Sequence, residues 1–592
     1  MRRYSLVLLL AGLLLLAAAC SPTAPQQSLP GDWQAFDAYA AALIGREMER
    51  YKLVGVSAAV VDGDGIVWAR GFGWADAAGG VPATPDTVYR AGSVSKLLNA
   101  AAVMRLCDEG KLDLDKPVAA YLPAFSLRSR FPAGPPVTLR HLLTHHAGLP
   151  SDIVGGMWGD DPPPFTSIVA LLKEEYAAYP PGYIAAYSNV GSCLAGVAVE
   201  RAAGEAYADY LDRELLAPLG MAGSSFAPRP AVISRLAKGY DKEGRERADV
   251  GIRDVPAGGL YTSVADLGRF LAMLFDEGES GGQRILSRAA VRELLREQPA
   301  SPLDGTFRIG LEFFLEYPEL AYAGRIAGHG GETYLFRCHV LTAPDRKLGV
   351  VVMTNSAGAR SKDAVVGLMK AAIAVKTGLA PADGAAVKAP PPGAPAAAPG
   401  GFYGTVAGLA NVKPGARPEL AVRGWRFRLT PGEDGWQTPE LLLGGVAPVP
   451  LSLFGKDIAV AFRTVNGEDV VFVRDGPKVS AAGIRYAPSP IPSSWLRYAG
   501  GYELVGDQNL QLRLDAFRVF VEDGFLMVEL AAEGESGRFV LRPVADDEAV
   551  LYGLGRRMME TMRAAGAPGE ERLHFAGLVF RKLQAKEYLK DL

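Results

Sequence analysis

The sequence predicts an α+β domain followed by an all-β region, and three observations carry that prediction. Residues 56–61 and 66–70 are apolar runs joined by the turn Asp62-Gly63-Asp64-Gly65, the pattern of a hairpin. Residues 97–106 have the length and apolar spacing of a buried helix, and residues 334–341 and 348–354 read as a second, antiparallel strand pair. After residue 400 the chain changes character: short alternating runs, such as 458–462, 470–473, 519–521 and 525–530, are split by Gly, Asp and Pro. That pattern is typical of one or two small barrels or sandwiches.

Length and composition set the frame. At 592 residues the chain exceeds what one core usually serves, so two or more domains are expected. Net charge is −3 with acids and bases interspersed, which points away from nucleic acid and from an anionic membrane surface as partners. With 49% hydrophobic residues the chain can bury large cores, so disorder is excluded as its main state.

Residues 1–20 run from Met1-Arg2-Arg3 through an apolar stretch to Cys20, too short for a final membrane span and typical of an export signal. Leu16-Ala17-Ala18-Ala19-Cys20 resembles a bacterial lipoprotein signal, with Leu one place farther from the cysteine than usual. Expected from it are a lipidated Cys20, a membrane anchor and a position on the periplasmic face of a bacterial membrane, Ser21 favouring the outer one. The remaining Cys107, Cys193 and Cys338 form no disulfide framework and read as buried thiols, although one pair could bridge.

Residues 21–32 are a flexible tether rich in Pro, Gln and Ser, and helical spacing begins at residue 33 and runs to 51. Residues 110–165, rich in Pro and Gly, predict long ordered loops around short helices. Within them His141 and His145 are four apart, with His146 beside them, and could face a metal. Neither the Glu of H-E-x-x-H nor a third ligand accompanies them, so structural histidines are expected, and no metal or cofactor.

A Pro180-Pro181-Gly182 turn leads to Tyr187-Ser188-Asn189 and a helix at 190–203. Ser263, with Asp266 three residues on, resembles a capping box. Ala327-Gly328-His329-Gly330-Gly331-Glu332 puts His329 at the start of a strand, and 362–376 reads as a closing helix. Residues 379–400, almost entirely Ala, Pro and Gly, predict a linker between a domain at 33–378 and β domains at 401–490 and 491–592.

Candidate chemistry begins at Gly92-Ser93-Val94-Ser95-Lys96. Ser93 falls at the start of the apolar helix, with Lys96 three residues on and on the same face. A serine hydroxyl is a weak nucleophile until a neighbour takes its proton, and a desolvated lysine can do so. S-x-x-K alone arises by chance on the order of once or twice in a chain of this length. Its companions downstream decide the reading.

Together with Tyr187-Ser188-Asn189, His329-Gly330-Gly331, Leu142-Leu143-Thr144-His145, Gly148-Leu149-Pro150 and Gly258-Gly259-Leu260, the set resembles the serine β-lactamase and penicillin-binding superfamily, in its class C-like branch. The resemblance covers roughly residues 35–378 and implies a β-lactamase/transpeptidase-like antiparallel sheet flanked by helices. The C-terminal β unit resembles the lipocalin-like domains appended to some members. By residue, the resemblance implies Ser93 as acyl-accepting nucleophile, Lys96 as its proton partner and Tyr187 as general base. Asn189 would orient Lys96 and the substrate amide. His329, Gly330 and Gly331 would form the strand edge facing substrate, and the N–H groups of Ser93 and Glu332 the oxyanion hole.

His329 stands where the family most often has Lys, so the fixed charge for a substrate carboxylate is missing there. Ester or other peptide substrates gain ground over β-lactams and D-Ala-D-Ala ends. The expectation is an exported serine hydrolase of carboxypeptidase, esterase or β-lactamase type, acting on a small-molecule or peptide ester, amide or D-amino-acid peptide. The alternative is a catalytically idle relative that binds cell-wall fragments or a protein partner, against which the complete set of Ser93, Lys96 and Tyr187 argues.

Overall fold

The structure, a computed structural model, describes residues 31–380, 390–397, 399–445, 447–506, 514–532 and 535–584. The export signal, Cys20 and nearly all of the tether lie outside the described residues, as does much of the 379–400 stretch.

Strands buried on both faces build the first domain. Helix α1 (Trp33–Tyr51) starts at Asp32, whose carboxylate accepts the Ala35 N–H at 2.9 Å. It feeds the hairpin β1 (Gly55–Asp62) and β2 (Gly65–Asp76). These strands join β3 (Val81–Pro82), β4 (Ala327–Glu332), β5 (Arg337–Ala343) and β6 (Leu348–Thr354) in one antiparallel sheet, ordered β4-β5-β6-β1-β2-β3. Val56, Ala58 and Val60 of β1 pack with Phe36 and Ile44 of α1 and with Leu368 and Ile373 of the last helix of the domain (Ser361–Thr377). Ala59 and Val61 face the opposite way, into a core with α2 (Ser95–Asp108), α3 (Asn189–Ala203) and α4 (Val264–Phe275). The sheet is thus covered on both faces by helices, and β4 is left at its edge.

Two local expectations change. Residues 327–332 are a full strand, paired His329 to Val340, so His329 lies mid-strand rather than at a strand start. Three glycines there, Gly328, Gly330 and Gly331, hide the strand from any propensity reading. Residues 333–336 form the turn instead, closed by the Thr333 N–H to Phe336 O bond of 3.0 Å. At α4, Ser263 caps the Asp266 N–H at 3.1 Å, but Asp266 does not reach back as in a capping box. Its carboxylate accepts from Gly223 N and Ser224 Oγ, each at 2.8 Å, and so ties the helix start to a neighbouring loop.

The two β units lie beyond. Ala394–Pro395 already pairs with the strand Ile458–Val465, so the end of the expected linker is part of a ten-stranded antiparallel sheet that runs to Tyr486. Eight strands from Gly500–Leu504 to Leu578–Lys582 then close into a barrel, its ends joined by the Tyr502–Lys582 pairing. One apolar core contains Tyr486 and Phe472 of the sheet, Phe525 and Tyr552 of the barrel, and Tyr179 and Ile184 of the first domain. The barrel is therefore packed on the first domain, where Val154 N–H donates to Ala576 O at 2.7 Å and Arg130 pairs with Glu548 at 2.6 Å. Cys107, Cys193 and Cys338 are free thiols.

Candidate active site

The serine sits on a single 3-10 turn, Gly92–Val94, that runs straight into α2. Gly92 has φ +52°, and the Cβ it lacks would stand 2.5 Å from the backbone N of Glu332. Opposite it, a Cβ on Gly331 would stand 1.9 Å from Ala91 O and 3.0 Å from Ser93 N. Only glycines let the edge strand β4 approach the serine turn this closely. That approach sets the backbone of Gly331 and Glu332 against the serine turn, the strand edge from which the Glu332 N–H is expected to serve an oxyanion hole.

Lys96, in the first turn of α2, is fully buried. Its Nζ lies 3.1 Å from Ser93 Oγ and donates to Ala257 O at 2.7 Å. The Tyr187 ring centroid is 5.0 Å from the same Nζ. Tyr187 immediately precedes Ser188, the N-cap of α3, which accepts the Gly191 N–H at 3.0 Å. Helix α3 is locked to α2 by the Asn99 amide donating to Ser192 O at 3.0 Å. Ser188 thus caps the helix, and the residues on either side of it, Tyr187 and Asn189, line the cleft.

Asn189 lies in the cleft but does not reach Lys96; its amide donates to Asp152 Oδ1 at 2.6 Å. His329 is buried, stacked on Phe314 with centroids 4.6 Å apart, and its Nδ1 is 2.6 Å from Gly330 O. With Nδ1–H donating to that carbonyl, Nε2 is an acceptor, and it has no hydrogen-bond partner among the described residues. Burial first, and the Lys96 charge second, push His329 well below its ordinary pKa, so the imidazole is neutral. The Glu332 side chain is exposed and pairs with Arg337, leaving only its backbone at the site.

Ser93, Tyr187, Asn189, His329 and the Gly330-Gly331-Glu332 edge line one cleft of about 810 Å³, with Lys96 buried behind the serine. The three histidines of 141–146 go separate ways. His141 Nδ1 contacts Thr138 Oγ1 at 3.1 Å, His146 Nε2 pairs with Asp304 at 2.9 Å, and His145 Nε2 with buried Glu312 at 3.1 Å. Among the described residues no group of three or more His, Cys, Asp or Glu is placed to hold a metal.

Several site residues were not foreseen. Glu312 and His145 both hold positive φ, +62° and +60°, and their buried pair backs the Tyr187 ring at 4.3 Å from His145. Arg556 reaches in from the barrel, its Cζ 4.9 Å from the Tyr187 centroid and its Nη2 2.9 Å from Asp152. Two of these had a sequence cue: His145 lies in one motif the resemblance uses, and Asp152 falls two residues past another, Gly148-Leu149-Pro150.

The first domain is similar to known proteins. A family model described as Beta-lactamase matches residues 40–373. Penicillin-binding protein 4 of Amycolatopsis lactamdurans is 34% identical over 235 residues, 38% of this chain and 60% of that protein. D-alanyl-D-alanine-carboxypeptidase/endopeptidase AmpH of Escherichia coli is 26% identical over 325 residues, 52% of this chain and 81% of the relative. The chain spans only 60% and 62% of the length of its first curated relatives. Among solved structures, the octameric penicillin-binding protein homologue from Pyrococcus abyssi (25% identity, TM-score 0.51) covers 77% of this chain and all of its own, and SurE (25% identity, TM-score 0.54) covers 76% and 99%.

Proposed function

This chain belongs to the Beta-lactamase family, and from that premise we propose that it is a serine hydrolase working through an acyl-enzyme on Ser93, with an ester, amide or D-amino-acid peptide as substrate. The observation that carries the reading is the buried Lys96 Nζ at 3.1 Å from Ser93 Oγ, with Tyr187 alongside.

Each step then has an agent. Ser93 Oγ bonds to the substrate carbonyl carbon as its proton passes to the Lys96–Tyr187 pair, and the carbonyl oxygen becomes an oxyanion held by the N–H groups of Ser93 and Glu332. Collapse breaks the bond to the leaving oxygen or nitrogen, which takes up the proton from Tyr187, and the acyl group stays on Ser93. A water, deprotonated by the same pair, attacks the acyl carbon, and Ser93 recovers its proton as the acid leaves. Positive charge on Lys96 beside the ring stabilises the negative charge that develops on the phenol oxygen during transfer.

The relatives support the reaction class. AmpH is by name a D-alanyl-D-alanine carboxypeptidase and endopeptidase, and penicillin-binding protein 4 a penicillin binder. A fluorophosphonate or fluorescent penicillin should label the wild type on the peptide containing Ser93, located by mass spectrometry. Labelling no stronger than in Ser93→Ala sinks the hydrolase reading and favours an idle binder of cell-wall fragments or a partner protein. We further propose export to the periplasmic face with a lipid on Cys20, supported by the 1–20 pattern. Cys20→Ala should move the protein from the membrane to the soluble fraction, and unchanged partitioning would count against the anchor.

A further inference from the structure

We propose that Arg556, supplied by the C-terminal barrel, is a substrate-binding residue that holds a free carboxylate on the leaving group, so that the preferred substrates are acyl donors ending in an anionic group such as a C-terminal amino acid. The proposal deepens the acyl-enzyme reading above and rests on it.

The first support is a vacancy of charge. Strand position 329, where the resemblance expects a lysine, carries an imidazole that is buried, bonded to Gly330 O and neutral. It cannot attract a carboxylate by charge. Other cations of the cleft are otherwise engaged: Lys362 pairs with Glu319 at 2.9 Å, Lys478 with Glu316 at 3.8 Å, and Arg360 lies 5.9 Å from the Tyr51 ring centroid. Arg556 alone among them lies against Tyr187, the group that hands its proton to the leaving atom.

The second support is the local charge balance. Burial works to raise the Asp152 carboxyl, but Arg556, Arg557 and the Asn189 amide outweigh it and hold the group below its ordinary value, hence ionised. Two guanidiniums, at 2.9 and 3.5 Å, share that single carboxylate. The other carboxyl nearby, Glu560, is raised to about 7 by burial, so below that pH the two guanidiniums outnumber the ionised carboxylates, and 45% of the Arg556 side-chain surface remains open. A guanidinium offers planar paired donors that suit a carboxylate.

The third support is that the loop is held rigidly. Arg557 and Met559 have φ of +66° and +60°, conformations that persist only when the surroundings enforce them. The surroundings here belong to the first domain: Ser151 Oγ accepts the Arg557 N–H at 2.9 Å, Ser151 N–H donates to Glu560 at 2.8 Å, and Tyr179 OH donates to Gly555 O at 3.2 Å. A loop strained at two residues and tied at three points delivers one charged side chain into the cleft.

The test uses two esters of the same N-acylglycine, one with phenol and one with 3-hydroxybenzoate as leaving group, on full-length wild type, Arg556→Gln and Arg556→Lys. Wild type should favour the carboxylated ester. The ratio of kcat/KM, carboxylated over neutral, should fall on the order of 10- to 100-fold in Arg556→Gln and less in Arg556→Lys, mostly through KM. Free 3-hydroxybenzoate should inhibit wild type, and that inhibition should weaken in parallel in the two variants. An unchanged ratio, including equal losses on both esters, overturns the proposal and leaves Arg556 as an interface residue. If wild type labels at Ser93 yet shows no preference between the esters, this proposal fails alone; if Ser93 does not label, both readings fail.

Discussion

The serine turn and the 552–560 loop of the barrel meet in the same cleft, yet they are held there by opposite means. Around Ser93 the placement is apolar and steric: Leu97, Leu98, Ala100 and Ala101 of α2 are fully buried, and Gly92 and Gly331 press backbone against backbone. Around Arg556 the neighbouring Leu554 and Met558 are buried in the core shared with the first domain, but the arginine itself is placed by polar contacts of Ser151, Asp152 and Glu560 across the two domains. Close packing is indifferent to salt and pH, whereas hydrogen-bonded and ionic contacts respond to both. The molecule therefore keeps its reacting atoms in a rigid, condition-independent setting and makes its substrate contact depend on how well the barrel is docked.

The sharpest way to break that contrast is to disturb the steric side. Gly331→Ala places a Cβ on Ala91 O, so either β4 or the serine turn must shift by an ångström or more. A displacement of that size at an oxyanion hole costs about 100-fold in kcat/KM. Steady-state hydrolysis of the neutral ester should show that loss in Gly331→Ala and none in Gly45→Ala, whose added Cβ on α1 meets nothing within 4 Å. Full activity in Gly331→Ala would mean that the close approach of strand and turn does not set the geometry.

The same contrast explains what could be read from the sequence. Ser93 and Lys96 are three residues apart on a 3-10 turn and the helix it runs into, so their meeting follows from local geometry and needed no fold. The hairpin β1–β2, the helices at 33–51 and 190–203 and the strand at 348–354 also followed from period and burial. Tyr187 and His329 came in through the resemblance, because short motifs far apart in sequence say nothing of contact by themselves. Strand β4 was hidden by its glycines, the very residues its approach to Ser93 demands. Arg556 was invisible for a different reason: its contact with Asp152 spans 404 positions and joins a loop arginine to a loop aspartate, and neither carries a pattern. His145 and Glu312 illustrate the same limit, since their strained backbones appear only once the fold brings the pair together.

The polar side of the contrast can be sharpened by pH. Glu560, buried between barrel and first domain, is raised from an ordinary 4.5 to about 7, chiefly by burial and against the pull of its Ser151 hydrogen bonds. A carboxyl raised in the docked, folded state holds its proton more tightly there than when exposed. Its contribution to stability is therefore complete below pH 4.5 and is lost as pH rises through about 7. The loss across that window is about 2–3 kcal/mol in the wild type. Glu560→Gln keeps an oxygen that can accept the Ser151 N–H but cannot ionise, so this part of the pH dependence should vanish. Calorimetric unfolding of both proteins from pH 5 to 8 should give the wild type the steeper decline, with the variant at least as stable at the alkaline end. Parallel curves would show that Glu560 is solvated and that the barrel's hold on Arg556 does not pass through it.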